Sequence, residues 1–207
     1  MLFDMHIHTS YSPCSVIDLP ELLRRSREVG LDGICITDHD TMASKSAFMD
    51  GSELCVIVGI EYTTSEGDFL VFGPVDYIPE QMDAKYLLKW IKKEGGVAIA
   101  AHPFRKYRSV DPHLLQLAAI VESVNGRNLP HENELCKNWI RQFGCGVKEI
   151  GGSDAHTVGE IGQVVTSFRN NIYDVDDLIH ELKYGNYLPL KRIDPEVISR
   201  QLIKGYQ

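Results

Sequence analysis

Five apolar runs in this chain lead into residues that bind metals. They read Phe3-Asp4-Met5-His6-Ile7-His8, Ile34-Cys35-Ile36-Thr37-Asp38-His39-Asp40, Val56-Ile57-Val58-Gly59-Ile60-Glu61, Val97-Ala98-Ile99-Ala100-Ala101-His102 and Gly151-Gly152-Ser153-Asp154-Ala155-His156. Imidazole mixed with carboxylate suits Zn, Mn or Fe. The apolar parts read as buried strands. One such stretch means little, but five of them imply one site assembled where several parallel strands end.

The individual residues carry different weight. His6 and His8 are two apart on a strand and so share a face, which lets one strand give two imidazoles to one metal. The plain alternative is two solvated histidines on a half-buried strand. Asp4 shares that face and is expected to orient a histidine from behind. In Thr37-Asp38-His39-Asp40, Asp40 or Thr41 serves as a helix cap, Asp38 reads as a structural group, and His39 reads as a ligand. Glu61 ends a strongly apolar strand, where a carboxylate is costly unless exposed or paired, and a position between two cations would pair it. Asp68 reads either as a ligand or as the turn residue of Glu66-Gly67-Asp68. His102-Pro103 reads as a ligand or a turn histidine. Asp154 and His156 deliver an oxygen and a nitrogen from one loop, and Gly151-Gly152 lets the backbone approach closely. Cys14 reads as a small loop residue in preference to a thiolate ligand. His113, His131 and His180 have no partner pattern and read as surface residues. Arg105, Lys106 and Arg108 follow His102 directly and form the densest basic cluster, suited to one or two phosphates or simply to a solvated loop. Asn125 ends a strand and is a candidate for hydrogen bonding to substrate.

The elements that must position these residues alternate between strand and helix. Strands are expected at 2–8, 33–37, 54–60, 68–73, 97–101, 119–124, 146–151 and 163–168. Helices are expected near 18–29, 41–50, 83–94, 111–118, 131–143, 174–184 and 194–204. Asp18 and Pro20 open the first helix and Gly30 closes it. Strands separated by helices argue for an α/β protein with a parallel sheet. In the closed form of that architecture the active site lies at the C-terminal ends of the strands. The 207 residues are enough for one domain with a sizeable core. No apolar run reaches the ~20 residues of a membrane span. The first strand begins almost at Met1, so no signal peptide is expected. Five cysteines without a Cys-x-x-Cys argue for a reducing, cytoplasmic compartment and against a disulfide scaffold. A net charge of −8 argues against gripping a long nucleic-acid duplex.

Together the motifs resemble the polymerase and histidinol phosphatase (PHP) family of metal-dependent phosphoesterases. The matching signatures are His6-Ile7-His8, Thr37-Asp38-His39-Asp40, Gly59-Ile60-Glu61, Ala101-His102-Pro103 and Gly152-Ser153-Asp154-Ala155-His156, in the family's order within residues 2–168. The resemblance implies a single domain over 1–207, a distorted seven-stranded (β/α)7 barrel completed by helices at 174–204, and two to three divalent ions (Mn, Zn or Fe). It implies that His6, His8, Glu61 and Asp154 hold the first metal. Glu61 would bridge to a second, held also by His102, and His39 and His156 would hold a third. Many members have a histidine where this chain has Asp68; an aspartate can still ligate. Many also have Asp or His where this chain reads Pro13-Cys14-Ser15, so the third metal loses an expected ligand. By size the chain looks like the small stand-alone members, some of which act on nucleoside bisphosphates or short oligonucleotides.

The expected activity is hydrolysis of a phosphomonoester of a small metabolite or nucleotide by a metal-activated hydroxide. Asp154 would set the metal that makes the hydroxide. His156 or His39, where free of metal, would be the acid for the leaving group. Arg105, Lys106 or Arg108 would clamp a phosphate. The alternatives are an amidohydrolase-like hydrolase, for which the lysine ligand after a strand is missing, and a non-catalytic metal-stabilised module that binds a phosphorylated ligand. No membrane partner is expected.

Overall fold

The computed structural model describes residues 1–47 and 54–192. The expected helix at 194–204 and the end of the one at 41–50 lie outside them. Within the described part of the latter, only a 3-10 turn forms at Ala43–Ala47, with Thr41 Oγ1 accepting from Ala43 N.

Among the described residues, ten strands and five α-helices follow one another. The strands are β1 Leu2–Ile7, β2 Gly33–Ile36, β3 Cys55–Val58, β4 Ile60–Thr64, β5 Gly67–Phe72, β6 Val97–Ala100, β7 Ile120–Asn125, β8 Lys148–Gly152, β9 Val164–Phe168 and β10 Tyr187–Lys191. The helices are α1 Leu19–Glu28, α2 Ala84–Lys93, α3 Pro112–Ala118, α4 Pro130–Phe143 and α5 Val175–Tyr184. Side-chain caps open four of them. Asp18, Asp83, Asp111 and Asp174 each accept from a backbone N–H of the first turn, satisfying a donor that the helix leaves unpaired.

The hydrogen-bonded ladders make two open sheets of five strands, in the orders β10-β9-β1-β2-β3 and β4-β5-β6-β7-β8, and not one closed seven-stranded barrel. The all-parallel expectation is also corrected. β1–β2, β2–β3, β6–β7 and β7–β8 are parallel, whereas β4–β5, β5–β6, β1–β9 and β9–β10 are antiparallel. Two local causes separate the sheets. The run expected as one strand at 54–60 breaks at Gly59. Below the break β3 pairs with β2, and above it β4 pairs with β5. A Cβ on Gly59 would lie 2.6 Å from the Phe72 ring and from the Val71 carbonyl oxygen, so only glycine allows the crossing. Second, the outer edge of β1 is shared. Leu2 and Phe3 pair with β9, and only Ile7 forms a bridge to Ala155, beyond β8.

An isolated bridge also joins His39, beyond β2, to Glu61 on β4. Both bridges that link the sheets thus sit among the candidate ligands. The core beneath is continuous across the two sheets, with Phe3, Met5, Leu70, Phe72, Ile99 and Ile150 in one buried cluster. Second and third clusters lie under the helices, one containing Leu87, Ile91 and Leu115, the other Leu22, Ile34 and Ile36. Among the described residues no helix is long and apolar enough to cross a membrane.

Candidate metal centre

One end of the sheets gathers every candidate ligand. His6 lies near the end of β1, with His8 just beyond it. His39 follows β2, His102 follows β6, and Asp154 and His156 follow β8. Glu61 is the second residue of β4 rather than the last of a longer strand. Asp68 is the second residue of β5, whose antiparallel course brings its beginning to the same end. Gly152 makes the close approach expected of it, since a Cβ there would sit 2.5 Å from His6 Cβ and 2.8 Å from Glu122 Oε1. His102 and Asp154 hold positive φ angles of 29° and 55°. Non-glycine residues rarely adopt these without a compensating role.

Three groups of donors converge: His6, His8 and Glu61; Glu61, Asp68 and His102; and His8, His39 and His156. Nε2 of His8 lies 3.1 Å from Glu61 Oε2 and 3.3 Å from Asp154 Oδ1. Nε2 of His6 lies 3.4 Å and 3.5 Å from the same two oxygens. Glu61 divides its carboxylate. Oε1 is 2.8 Å from His102 Nε2, while Oε2 faces His6, His8 and, at 3.0 Å, His39 Nδ1. His6, His8, Glu61, Asp68, His102 and Asp154 are all buried, and His39 is partly exposed.

The hydrogen bonds behind the imidazoles fix which nitrogen carries the proton. Glu122 Oε1 lies 3.1 Å from His6 Nδ1 and, as a carboxylate, can only accept. Ser12 Oγ donates to Asp38 Oδ1 at 2.6 Å, accepts from His39 N, and so also accepts from His8 Nδ1 at 3.3 Å. Both Nε2 atoms are then lone pairs. They face each other at 3.0 Å with two carboxylates beside them. Four acceptors around one point, out of water, need a cation. The donor set therefore fits divalent metal ions. Without metal, protons fill the role. Burial disfavours the His6 cation, but Asp154, Glu122 and Glu61 outweigh it and raise its pKa well above the usual value. Burial likewise opposes ionisation of Glu61 and Asp154, yet the nearby histidines hold both well below the carboxylate range, with Arg105 adding to the effect at Asp154.

The structure moves some of the expected roles. Asp4 orients no imidazole. It accepts from Ser153 N at 2.9 Å and Gly162 N at 2.8 Å, tying β1 to the segments around β8 and β9, and burial pushes its pKa to about 6. Glu122, within β7, takes the place expected of Asp4. It was not singled out in the sequence because a lone acid in Ile120-Val121-Glu122-Ser123-Val124 reads as an ordinary strand residue. The Ser12–Asp38 support of His8 gave only the partial signal at Asp38. Arg105 reaches the centre, donating to Asp154 Oδ2 and Asn125 Oδ1, both at 2.7 Å, and to Asn128 Oδ1. Asn125 in turn donates to Glu122 Oε2. Arg108 Nη1 lies 3.3 Å from Asp68 Oδ2. Lys106 Nζ lies over the Tyr107 ring, while its backbone N–H donates to Glu132. Cys14 is exposed and belongs to none of the three groups. His113, His131 and His180 are exposed. Burial lowers the pKa of His156 to about 4, so at neutral pH it offers a lone pair and not a proton.

The comparisons with known proteins agree with this geometry. A family model described as PHP-associated matches residues 130–187, from α4 into β10. An uncharacterized protein of Methanocaldococcus jannaschii is 32% identical over 119 residues, 50% of this chain and 68% of that protein. The crystal structure of PsfC from Pseudomonas syringae superimposes with a TM-score of 0.74 at 18% identity, covering 98% of this chain and 96% of that one. A two-domain protein from Bacteroides vulgatus, described as containing a predicted PHP-like metal-dependent phosphoesterase, gives 0.66 at 19% identity over 99% of this chain and 69% of its own. With the ordered motifs brought to one end of this fold, the chain belongs to the PHP family.

Proposed function

We propose that this protein is a metal-dependent phosphoesterase that hydrolyses a phosphomonoester of a small metabolite or nucleotide. The observation that carries the reading is the pair of opposed Nε2 lone pairs of His6 and His8 between Glu61 and Asp154. Divalent ions held there would supply the chemistry that the family resemblance implies, lowering the pKa of water so that a hydroxide is available at neutral pH and neutralising the phosphoryl oxygens. The residues then divide the work. His6, His8, Glu61 and Asp154 would form one ligand set; Glu61, Asp68 and His102 a second; His39 and His156 a third, so that two to three ions of Mn, Zn or Fe would be held. His156, neutral at pH 7, suits a ligand better than an acid; where the third ion is absent, the partly exposed His39 would be the proton donor to the leaving group. Arg105 and Arg108 border the carboxylates and take phosphate oxygens, with Asn125 holding Arg105 in place. The Lys106 side chain, over Tyr107, contributes charge only.

The test is a panel of phosphomonoesters, nucleoside bisphosphates, cyclic diesters and short oligonucleotides, assayed on metal-stripped protein after Mn, Zn or Fe is returned. Phosphate release from monoesters that depends on returned metal is the expected result. Metal-dependent cleavage of amide or lactone substrates alone would favour the amidohydrolase-like reading. Metal binding with no turnover of any substrate would leave the binding module.

A further inference from the structure

The ligand groups differ in what competes for their oxygens. Asp154 meets its arginine and its histidines on different atoms: Oδ2 accepts from Arg105 at 2.7 Å, while Oδ1 faces His6 and His8. The arginine and the ligand set coexist. At Asp68 the same atom is contested. Oδ2 lies 3.9 Å from His102 Nε2 and 3.3 Å from Arg108 Nη1. It is buried and, among the described residues, makes no hydrogen bond. His102 Nδ1 is also buried without a partner, so nothing behind that ring plays the part of Glu122 behind His6 or Ser12 behind His8. Such supports typically change metal affinity ~10–100-fold.

We infer that Arg108 competes with a divalent cation for Asp68. The competition makes Glu61–Asp68–His102 a weak, exchangeable site that fills only after the supported His6–His8–Glu61–Asp154 site. The inference rests on the metal-centre reading above. A cation entering the weak site releases the Arg108 guanidinium, which is 43% exposed and free to swing to an incoming anion. Cation loading and phosphate capture are thereby linked through one side chain.

Equilibrium Mn(II) titration of the metal-stripped full chain tests this without an assay of turnover. Free Mn(II) is read by electron paramagnetic resonance and folding is checked by circular dichroism. The expected result is a tight and a weak class of sites. Arg108→Gln tightens the weak class by about three- to fivefold, as for loss of a half-exposed ion pair, and leaves the tight class in place. Lys106→Gln removes the same charge from a side chain that does not touch Asp68, and moves neither class more than about twofold on the same scale. Asp68→Ala abolishes the weak class only. The proposal is overturned if Arg108→Gln leaves the weak class where it was, tightens both classes alike, or acts no differently from Lys106→Gln. It is also overturned if Asp68→Ala removes the tight class. A wild-type protein that binds no Mn(II), Zn(II) or Fe(II) at all would instead sink the metal-centre reading beneath it.

Discussion

The two ends of the sheets are built on opposite terms. At the end opposite the ligands, a cavity of about 470 Å³ opens among Leu88, Ile91, Val97, Leu117, Ile120 and Leu182. Two of its lysines are engaged. Lys148 Nζ donates to Lys183 O and Gly185 O at 2.9 and 3.0 Å, and Lys183 Nζ donates to Gly95 O, each closing the C-terminal end of a helix. At the ligand end acceptors crowd together in excess of donors. The contrast teaches that the site is found by unmet polar valence and not by the size of a hole. A group whose hydrogen bonds are complete has nothing left to offer a ligand.

The contrast can be broken most directly by removing metal. Chelation followed by desalting is expected to abolish phosphate release. A metal present at ~100 times its dissociation constant stabilises by about 2.7 kcal/mol, so the melting temperature should fall by roughly 5–11 °C. Full activity after metal analysis confirms removal would place the chemistry elsewhere. Asp154→Asn comes next. It keeps the shape and loses the charge, so turnover should fall by more than about 10²-fold, with the Michaelis constant changing little. An unchanged turnover number would remove Asp154 from the ligand set. Glu122→Gln sharpens the point, because Glu122 touches no cation and only holds His6 Nδ1, His102 N and Asn125. Its Mn(II) affinity should drop about 10–100-fold, which direct titration reads.

Acidity gives a fourth test. The metal-free pKa of His6 is raised, so its stabilising charge is fully present below the unfolded value of about 6.5 and is lost as pH rises through the higher folded value. A cation must displace that proton. Metal binding at pH 7 should therefore release about one proton, and affinity should rise with pH. Calorimetry in buffers of different ionisation enthalpy measures the release, and none at pH 7 would contradict the raised pKa of His6. The smallest effect belongs to the opposite end. Lys148→Leu loses two carbonyl contacts and should cost about 1–2 kcal/mol of stability without altering turnover.

The candidate ligands stood out because a histidine or acid that ends a buried strand is chemically conspicuous, and all eight lie at one end. The start of α1 was legible through Asp18 and Pro20. What escaped was relational. Glu122 looks like any strand acid until folding places it behind His6. Asp4 shares a face with His6, yet the backbone donors of Ser153 and Gly162 reach it first. Strand direction left no trace in composition, so the antiparallel β5 and β9 were not foreseen. Pro189 within Tyr187–Lys191 hid β10, because proline argues against a strand unless the strand lies at an edge, as this one does. The break at Gly59 was invisible because apolar residues continue on both sides.

That break has a consequence for how the chain folds. His6, His8 and His39 come from one sheet and its extensions, while Glu61, Asp68, His102 and Asp154 come from the other. Contacts such as Asp4 with Ser153 close 149 residues of chain. No early, local piece can display the complete centre, because long-range pairing must come first and is slow. A cation bound across the seam therefore recognises only finished molecules, and it makes their reopening costly in the way a cross-link between distant segments does. On the proposed function, the centre would become complete only when the fold does.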